Sequence, residues 1–349
     1  MQRVIISTDL KKDLGTAIGN CPHDRAFILT DTTTAELCLT LLDGIESLKD
    51  AHLITVPAGD TNKGLDSACH IWQELQANGA TRHSLMINLG GGMITDLGGF
   101  AASCFKRGIR FINVPTTLLA MVDASVGGKT GVNFGGLKNE IGVFNDSEYV
   151  ILSTDFLRTL DSHNLLSGYA EMLKHGLISD TKMWAELVNF DLHNPDYAQL
   201  SRMLADSVKV KERIVAEDPH EHGIRKALNV GHTAGHALES WSMRHGCPIL
   251  HGYAVAFGII VELYLSVTKT GFPTDKMRQT VRFIRSYYGS LGITCNDYDE
   301  LLELMSHDKK NTAGIINFTL LHDIGGIELN QTASKEEILE ALDFFREAL

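Results

Sequence analysis

The sequence predicts an α/β domain over residues 1–152 followed by a mainly α-helical domain over residues 153–349. Three observations lead there. The chain has 349 residues, and single cores stop growing at roughly 250–300. Up to about residue 150, short apolar runs alternate with helical stretches, the pattern of a parallel sheet covered by helices. Beyond residue 152 the strand-like runs largely stop and helical spacing takes over.

In the first half, residues 26–30, 52–56, 85–89 and 111–114 read as buried strands. Residues 34–42, 65–77 and 94–105 read as the helices between them. Ligands in such sheets sit beyond the carboxyl ends of the strands. In the second half, residues 167–178, 183–188, 197–216, 232–241, 253–267, 280–288, 297–305 and 335–349 carry helical spacing. Residues 315–321 form one apolar run suited to a hairpin strand.

Composition narrows the function. Hydrophobic residues make up 44% and charged residues 21%, which is ordinary for a folded protein. The net charge of −12 excludes a nucleic-acid binder, which needs a basic face. The six cysteines have no C-x-x-C spacing and read as small buried hydrophobes in a reducing compartment. No signal-peptide core is present at the N-terminus. The longest apolar run, residues 254–261, is far short of the roughly 20 residues that span a bilayer. The expectation is a cytoplasmic protein without membrane contact.

Local motifs point to a phosphorylated ligand and a metal. Gly90-Gly91-Gly92 follows a strand run and opens a helix, where backbone amides can approach a pyrophosphate. The dinucleotide fingerprint G-x-G-x-x-G is not completed, because Asp96 follows Thr95. Gly127-Gly128-Lys129-Thr130 resembles the end of a P-loop, but Asp123 stands where the first glycine is required. Lys129 and the pair Lys138-Asn139 remain anion contacts in prospect.

His232 and His236 are four residues apart and share a helix face that small Thr233 and Gly235 leave open. The general-base glutamate of H-E-x-x-H is replaced by Thr233, which disfavours a zinc peptidase. His251, Glu171 and His175 complete a pool of five candidate ligands, and spacing does not choose among them.

Taken together, these segments resemble the dehydroquinate synthases of the sugar phosphate cyclase superfamily. The resemblance rests on Gly90 to Ser103, Lys106-Arg107-Gly108-Ile109, Phe111 to Asp123, Ser125 to Thr130 and Lys138-Asn139-Glu140-Ile141-Gly142. It continues through Tyr169-Ala170-Glu171-Met172-Leu173-Lys174-His175-Gly176, Leu228 to His236, Leu250-His251-Gly252 and Asp308-Lys309-Lys310-Asn311. It runs in order from about residue 55 to 320.

That resemblance implies a Rossmann-like NAD domain, a helical metal-binding domain and a homodimer in which Arg107 reaches the partner's site. It implies zinc or cobalt on Glu171, His232 and His251. NAD would be held by Asp31, Asp60, Lys63, Gly91, Gly92, Met93, Asp96, Thr116, Thr117, Lys129 and Lys138. Asp123, Lys129, Lys174, Lys211, Glu221 and His236 would carry the catalytic work. Substrate contacts would come from Arg107, Lys129, Asn139, Lys174, Lys211, Arg225, Asn229, His236 and Lys310 or its neighbour Lys309. The implied reaction converts 3-deoxy-D-arabino-heptulosonate 7-phosphate to 3-dehydroquinate and phosphate. Its steps are oxidation by NAD, phosphate elimination, reduction, ring opening and an intramolecular aldol closure.

Three positions depart from the family's habit: Tyr253 and Asp60 stand where a glutamate is frequent, and Asp31-Thr32-Thr33 stands in place of D-x-N. Three other readings compete. They are a related cyclase without a substrate carboxylate, a metal-dependent polyol dehydrogenase and a non-catalytic NAD-binding regulator.

Overall fold

A computed structural model describes residues 2–306 and 316–347, and the chain divides into two units. The first spans Met1–Asp161 with Leu200–Val208; the second spans Ser162–Gln199 with Lys209–Leu349.

The first unit is built on six strands. They are β1 (Arg3–Ile6), β2 (Ala26–Asp31), β3 (His52–Val56), β4 (Leu85–Gly90), β5 (Arg110–Pro115) and, after an intervening hairpin, β8 (Tyr149–Leu152). All pair in parallel, in the order β1-β8-β5-β4-β2-β3. From β2 the chain steps outward to β3, and from β4 it proceeds the other way to β5 and β8. The order therefore reverses between β2 and β4, the position where open parallel sheets take their ligands.

Helices α1 (Leu10–Gly19), α2 (Thr32–Cys38), α3 (Leu65–Ala77) and α4 (Gly92–Cys104) connect these strands. The core packs Phe27, Leu29, Met86 and Phe111 of the sheet against Ile71 and Leu75 of α3 and Leu97 and Phe100 of α4. The predicted helix over residues 34–42 breaks at Cys38 into a 3-10 turn, Leu39–Leu42.

β6 (Lys129–Phe134) and β7 (Leu137–Phe144) form the antiparallel hairpin, which the strand pattern does not predict. Their two-residue connection is Gly135-Gly136, at φ of 60° and 81°, the left-handed values such hairpin turns need.

The second unit carries α5 (Ser162–Leu177), α6 (Thr181–Val188), α7 (Tyr197–Glu217, of which 200–208 belong to the first unit), α8 (His232–Arg244) and α9 (His251–Thr270). α10 (Thr274–Tyr288), α11 (Tyr298–Ser306), the hairpin β9 (Asn317–Asp323) and β10 (Gly326–Thr332), and α12 (Lys335–Glu347) complete it. α9 is longer than its apolar run suggests. At 20 residues it meets the length and hydropathy of a membrane span, but 72% of its apolar window is buried among the other helices.

Two expectations are corrected. Among the described residues no disulfide forms, but only Cys21 and Cys38 are buried; Cys69, Cys104, Cys247 and Cys295 are exposed. The face bearing Thr233 and Gly235 is not open. Both are buried, and a Cβ on Gly235 would come within 2.8 Å of the Ala254 carbonyl, so that glycine lets α9 pack against α8.

Candidate functional site

The second unit gathers Glu171, Lys174, His232, His236 and His251. Glu171 and Lys174 lie one turn apart on α5 and are both buried, with Lys174 Nζ paired to Glu171 Oε2. His232 is the first residue of α8 and His251 the first of α9. Their Nε2 atoms lie 3.6 Å and 3.5 Å from Glu171 Oε1. Two ligands bound at about 2.1 Å in tetrahedral geometry sit roughly 3.4 Å apart, so these separations suit one shared ion.

Hydrogen bonds fix which ring nitrogen faces inward. His232 Nδ1 donates to the Val230 carbonyl at 3.2 Å. His251 Nδ1 donates to Glu239 Oε2 at 3.1 Å. A carbonyl and a carboxylate can only accept, so Nδ1 carries a proton in both rings and Nε2 is the atom each presents to Glu171. Both Glu171 oxygens are buried. Oε2 is paired with Lys174, and Oε1 is left facing the two imidazoles, where a cation shared with them would offset its burial. The donor set, one carboxylate and two imidazoles with a third nearby, suits zinc or a similar divalent ion.

The local electrostatics favour positive charge. Burial would raise the Glu171 carboxyl, but Lys174, His232 and His251 override it and hold it well below the usual carboxylate range. Burial keeps His232 well below the usual imidazole value against the pull of Glu171. Burial also lowers His251, yet its bonds to Glu171 and Glu239 prevail and push it up to about 10. His232 is therefore already in its neutral ligand form, while on His251 a metal ion would displace a proton.

His236 stands one turn along α8, its ring centroid 5.3 Å from that of His232 and 5.8 Å from that of His251. The donor nitrogens of the three histidines lie within 4.8 Å of one another. The contacts of Glu171 run to His232 and His251. His175, the fifth ligand candidate, is buried one turn beyond Glu171 on α5.

The loop between α7 and α8 holds the polar residues expected to meet substrate. Asp218 accepts the amides of His222 at 3.0 Å, Gly223 at 2.6 Å and Arg225 at 3.1 Å, and so folds the loop. Arg225 Nη1 donates to the Pro219 carbonyl at 2.6 Å. Asn229 Nδ2 donates to Glu221 Oε1 at 3.1 Å, and Glu221 sits at φ 62°. Lys211 and Arg225 are buried, unlike ordinary surface charges. Lys309 and Lys310 lie outside the described residues.

The first unit gathers the residues expected to hold NAD at the carboxyl ends of its strands. Asp31 ends β2, the Asp60–Asn62 turn follows β3, Gly91-Gly92 follow β4 and Thr116-Thr117 follow β5. Gly91 is closely approached: a Cβ there would lie 3.0 Å from Thr117 Cγ2, a contact that Thr117 would have to shift to relieve. Met93 and Asp96 lie in the first turns of α4. Lys63 is buried, with its Nζ paired to Asp96 Oδ2 and donating to Asn139 Oδ1 at 2.5 Å. Lys138 Nζ lies 3.8 Å from Asp60 Oδ2. Asn139 thus belongs with this group in the structure, although it is expected to meet substrate. Asp31 caps α2, accepting Thr33 and Thr34 amides at 2.9 Å and the Thr34 hydroxyl at 2.8 Å.

Asp123 lies in a π-helical turn, Ala120–Ala124, and Lys129 is exposed at the start of β6. Arg107 is exposed beside a cavity of about 650 Å³, on a turn where it and Lys106 both hold positive φ, 71° and 50°.

Three residues lie outside the expected set. Asn133 donates to the Asp60 carbonyl at 3.0 Å and accepts the Asn139 amide at 3.0 Å, tying the hairpin to the cofactor turn. Glu239 orients His251; it follows His236 by three residues and so shares its helix face. Glu262 is buried on α9, and a lone carboxylate inside an apolar run is the signal that could have marked it. Tyr253, next to a candidate ligand, bonds His163 Nδ1 through its hydroxyl at 2.9 Å.

The family described as 3-dehydroquinate synthase N-terminal matches residues 53–167, and 3-dehydroquinate synthase C-terminal matches 168–311. A 3-dehydroquinate synthase of Parabacteroides distasonis is 55% identical over 347 residues, covering 99% of this chain and 98% of its own. Among solved structures, a 2-epi-5-epi-valiolone synthase from Streptomyces hygroscopicus with NAD+ and Zn2+ bound superposes with a TM-score of 0.86 at 24% identity, over 99% of this chain and 97% of that one. A 2-deoxy-scyllo-inosose synthase complexed with carbaglucose-6-phosphate, NAD+ and Co2+ gives 0.84 at 24% identity, over 97% and 95%. At that identity the two structures speak to the fold.

Proposed function

The chain belongs to the 3-dehydroquinate synthase family, and we propose that Glu171, His232 and His251 are the metal ligands through which it works. It converts 3-deoxy-D-arabino-heptulosonate 7-phosphate to 3-dehydroquinate and inorganic phosphate, as a carbon–oxygen lyase that uses NAD and a divalent metal. The observation that carries the site assignment is the buried carboxylate of Glu171, whose Oε1 faces two imidazole Nε2 atoms at 3.6 Å and 3.5 Å.

When bound, the cation supplies Lewis-acid polarisation of substrate hydroxyls, and NAD supplies reversible hydride acceptance. The chain's residues do the rest. Lys174, buried against Glu171, is the acid–base group for the hydroxyl undergoing oxidation, taking its proton as the amine and returning it from the ammonium. Arg225, Lys211, Asn229 and His236, with Lys309 or Lys310, hold the substrate's carboxylate and phosphate. Buried cations suit that task because excluded water strengthens their attraction for anions. Asp123, Lys129 and Glu221 fix the hydroxyls.

Asp31, Asp60, Lys63, Gly91, Gly92, Met93, Asp96, Thr116, Thr117, Lys129 and Lys138 hold NAD, in a domain assigned to residues 1–152. Residues 153–349 form the metal and substrate domain. In this reading Asn139 has a double role, since its side chain is held by Lys63. Zinc and cobalt both suit the donor set.

The working form in this reading is a cytoplasmic homodimer. The exposed Phe134, Leu137, Val143 and Phe144 on the β6–β7 hairpin support a protein partner for that surface. Arg107, exposed at a turn of two left-handed residues, is the side chain offered to the partner's site.

Phosphate release with a trace of NAD separates this reading from a polyol dehydrogenase. The full-length protein, given the heptulosonate phosphate and metal, is expected to release phosphate in large molar excess over NAD without accumulating NADH. NADH formed in proportion to substrate, with no phosphate, would favour the dehydrogenase.

A further inference from the structure

α8 begins without a cap of its own. Its N-cap, Gly231, has no side chain to accept an amide and holds φ at +80°. A larger residue is excluded there, because a Cβ would lie 2.7 Å from Ile259 Cγ1 and 2.9 Å from the Val255 carbonyl. The α8 and α9 backbones are in contact at this point: a Cβ on Gly258 would lie 2.0 Å from the Gly231 carbonyl.

Glu262, one turn further along α9, supplies what α8 lacks. Its Oε2 accepts the Gly231 amide at 2.6 Å, and its Oε1 accepts those of Thr233 at 3.0 Å and Ala234 at 3.2 Å. The carboxylate is buried, at 1% exposure. The amides on either side of His232 are thereby fixed by a residue from the helix that begins with His251.

The charge matters as well as the geometry. A helix N-terminus concentrates roughly half a positive elementary charge. Here that terminus carries a residue assigned to bind a cation, so the helix opposes the ion it has to hold. A buried carboxylate on the same amides cancels that opposition, and does so where water screens little.

We propose that Glu262 is a positioning residue for the metal centre, setting the backbone of His232 and neutralising the positive end of α8 so that a divalent cation binds tightly. The proposal rests on the metal-site reading above.

The test is a metal-binding titration of the full-length apoprotein with Zn2+ and with Co2+, comparing wild type, Glu262→Gln and Glu262→Asp. Glutamine keeps the shape but removes the charge and one acceptor. It is expected to weaken metal binding roughly 10–100-fold and to shift the visible band of bound Co2+. Val261→Ala, a cavity variant on the same helix, measures what loss of stability alone does; it is expected to lower the thermal midpoint while binding metal as wild type does. If Glu262→Gln binds metal with wild-type affinity and spectrum, or if Val261→Ala weakens binding equally, the proposal is overturned. Should the glutamine variant not fold, Glu262→Asp decides. It retains the charge but retracts the carboxylate by about 1.5 Å, one carbon–carbon bond, and binding equal to wild type counts against the role. Wild type that binds neither ion would instead overturn the metal-site reading itself.

Discussion

Glutamine in place of Glu171 is expected to abolish phosphate release and to remove stoichiometric metal from the purified protein. Glu171 is the buried negative group at the point where His232 and His251 converge. The amide keeps the volume and removes the charge. Lys174 then loses its ion-pair partner, and breaking a buried pair on one side costs about 3–5 kcal/mol. A lowered thermal midpoint should therefore accompany the loss of metal. Chelation of the wild-type protein should give the same loss of rate, restored by added Zn2+ or Co2+; the variant should not recover. Measurement by elemental analysis and phosphate release checks both halves. Wild-type metal content with wild-type rate in Glu171→Gln would remove this residue from the centre.

Lys174→Ala should separate chemistry from binding in the opposite sense. Loss of a positioned acid–base group lowers turnover by about 10²–10⁴-fold, and that is the expected fall in kcat. NAD binding, measured by fluorescence titration, should stay within about twofold, because Lys174 lies on α5 while the residues assigned to NAD lie in the first unit. Metal affinity should hold or increase. Lys174 and the cation compete for the same carboxylate, so removing the ammonium leaves Glu171 to the metal. Lys174→Arg should not restore the rate, since a guanidinium stays protonated at neutral pH. Parallel loss of turnover and NAD affinity would contradict the assigned role.

The parallel sheet was legible for a physical reason. β2, β4 and β5 lie inside the sheet, and continuous apolar runs announce them; β3 at the edge is half-buried, yet its apolar residues also mark it. β1 and β8 are only four residues each, too short for a pattern to stand out. β7 is almost wholly exposed, so the hairpin shows no alternation of buried and open positions. In the second unit the helices extend past their periodic cores, as α5 and α10 do, because polar ends carry no apolar spacing.

The site was legible only in part. Spacing paired His232 with His236, which are neighbours on one helix. Glu171 is far away in sequence, and nothing in its spacing links it to them; it stood among five candidates, and the family resemblance selected it. The carboxylates behind the ligands were harder still. Glu239 and Glu262 act across helix contacts, and such contacts exist only once α8 and α9 pack together. Asn139 shows the reverse difficulty. Its expected partner was substrate, and the fold gives its side chain to Lys63.

A cobalt anomalous map of the crystallised full-length protein tests the centre most directly. One strong peak is expected at roughly 2.0–2.2 Å from Glu171 Oε1 and the Nε2 atoms of His232 and His251. A peak ligated through His236 in place of Glu171, or one elsewhere in the chain, would contradict the account.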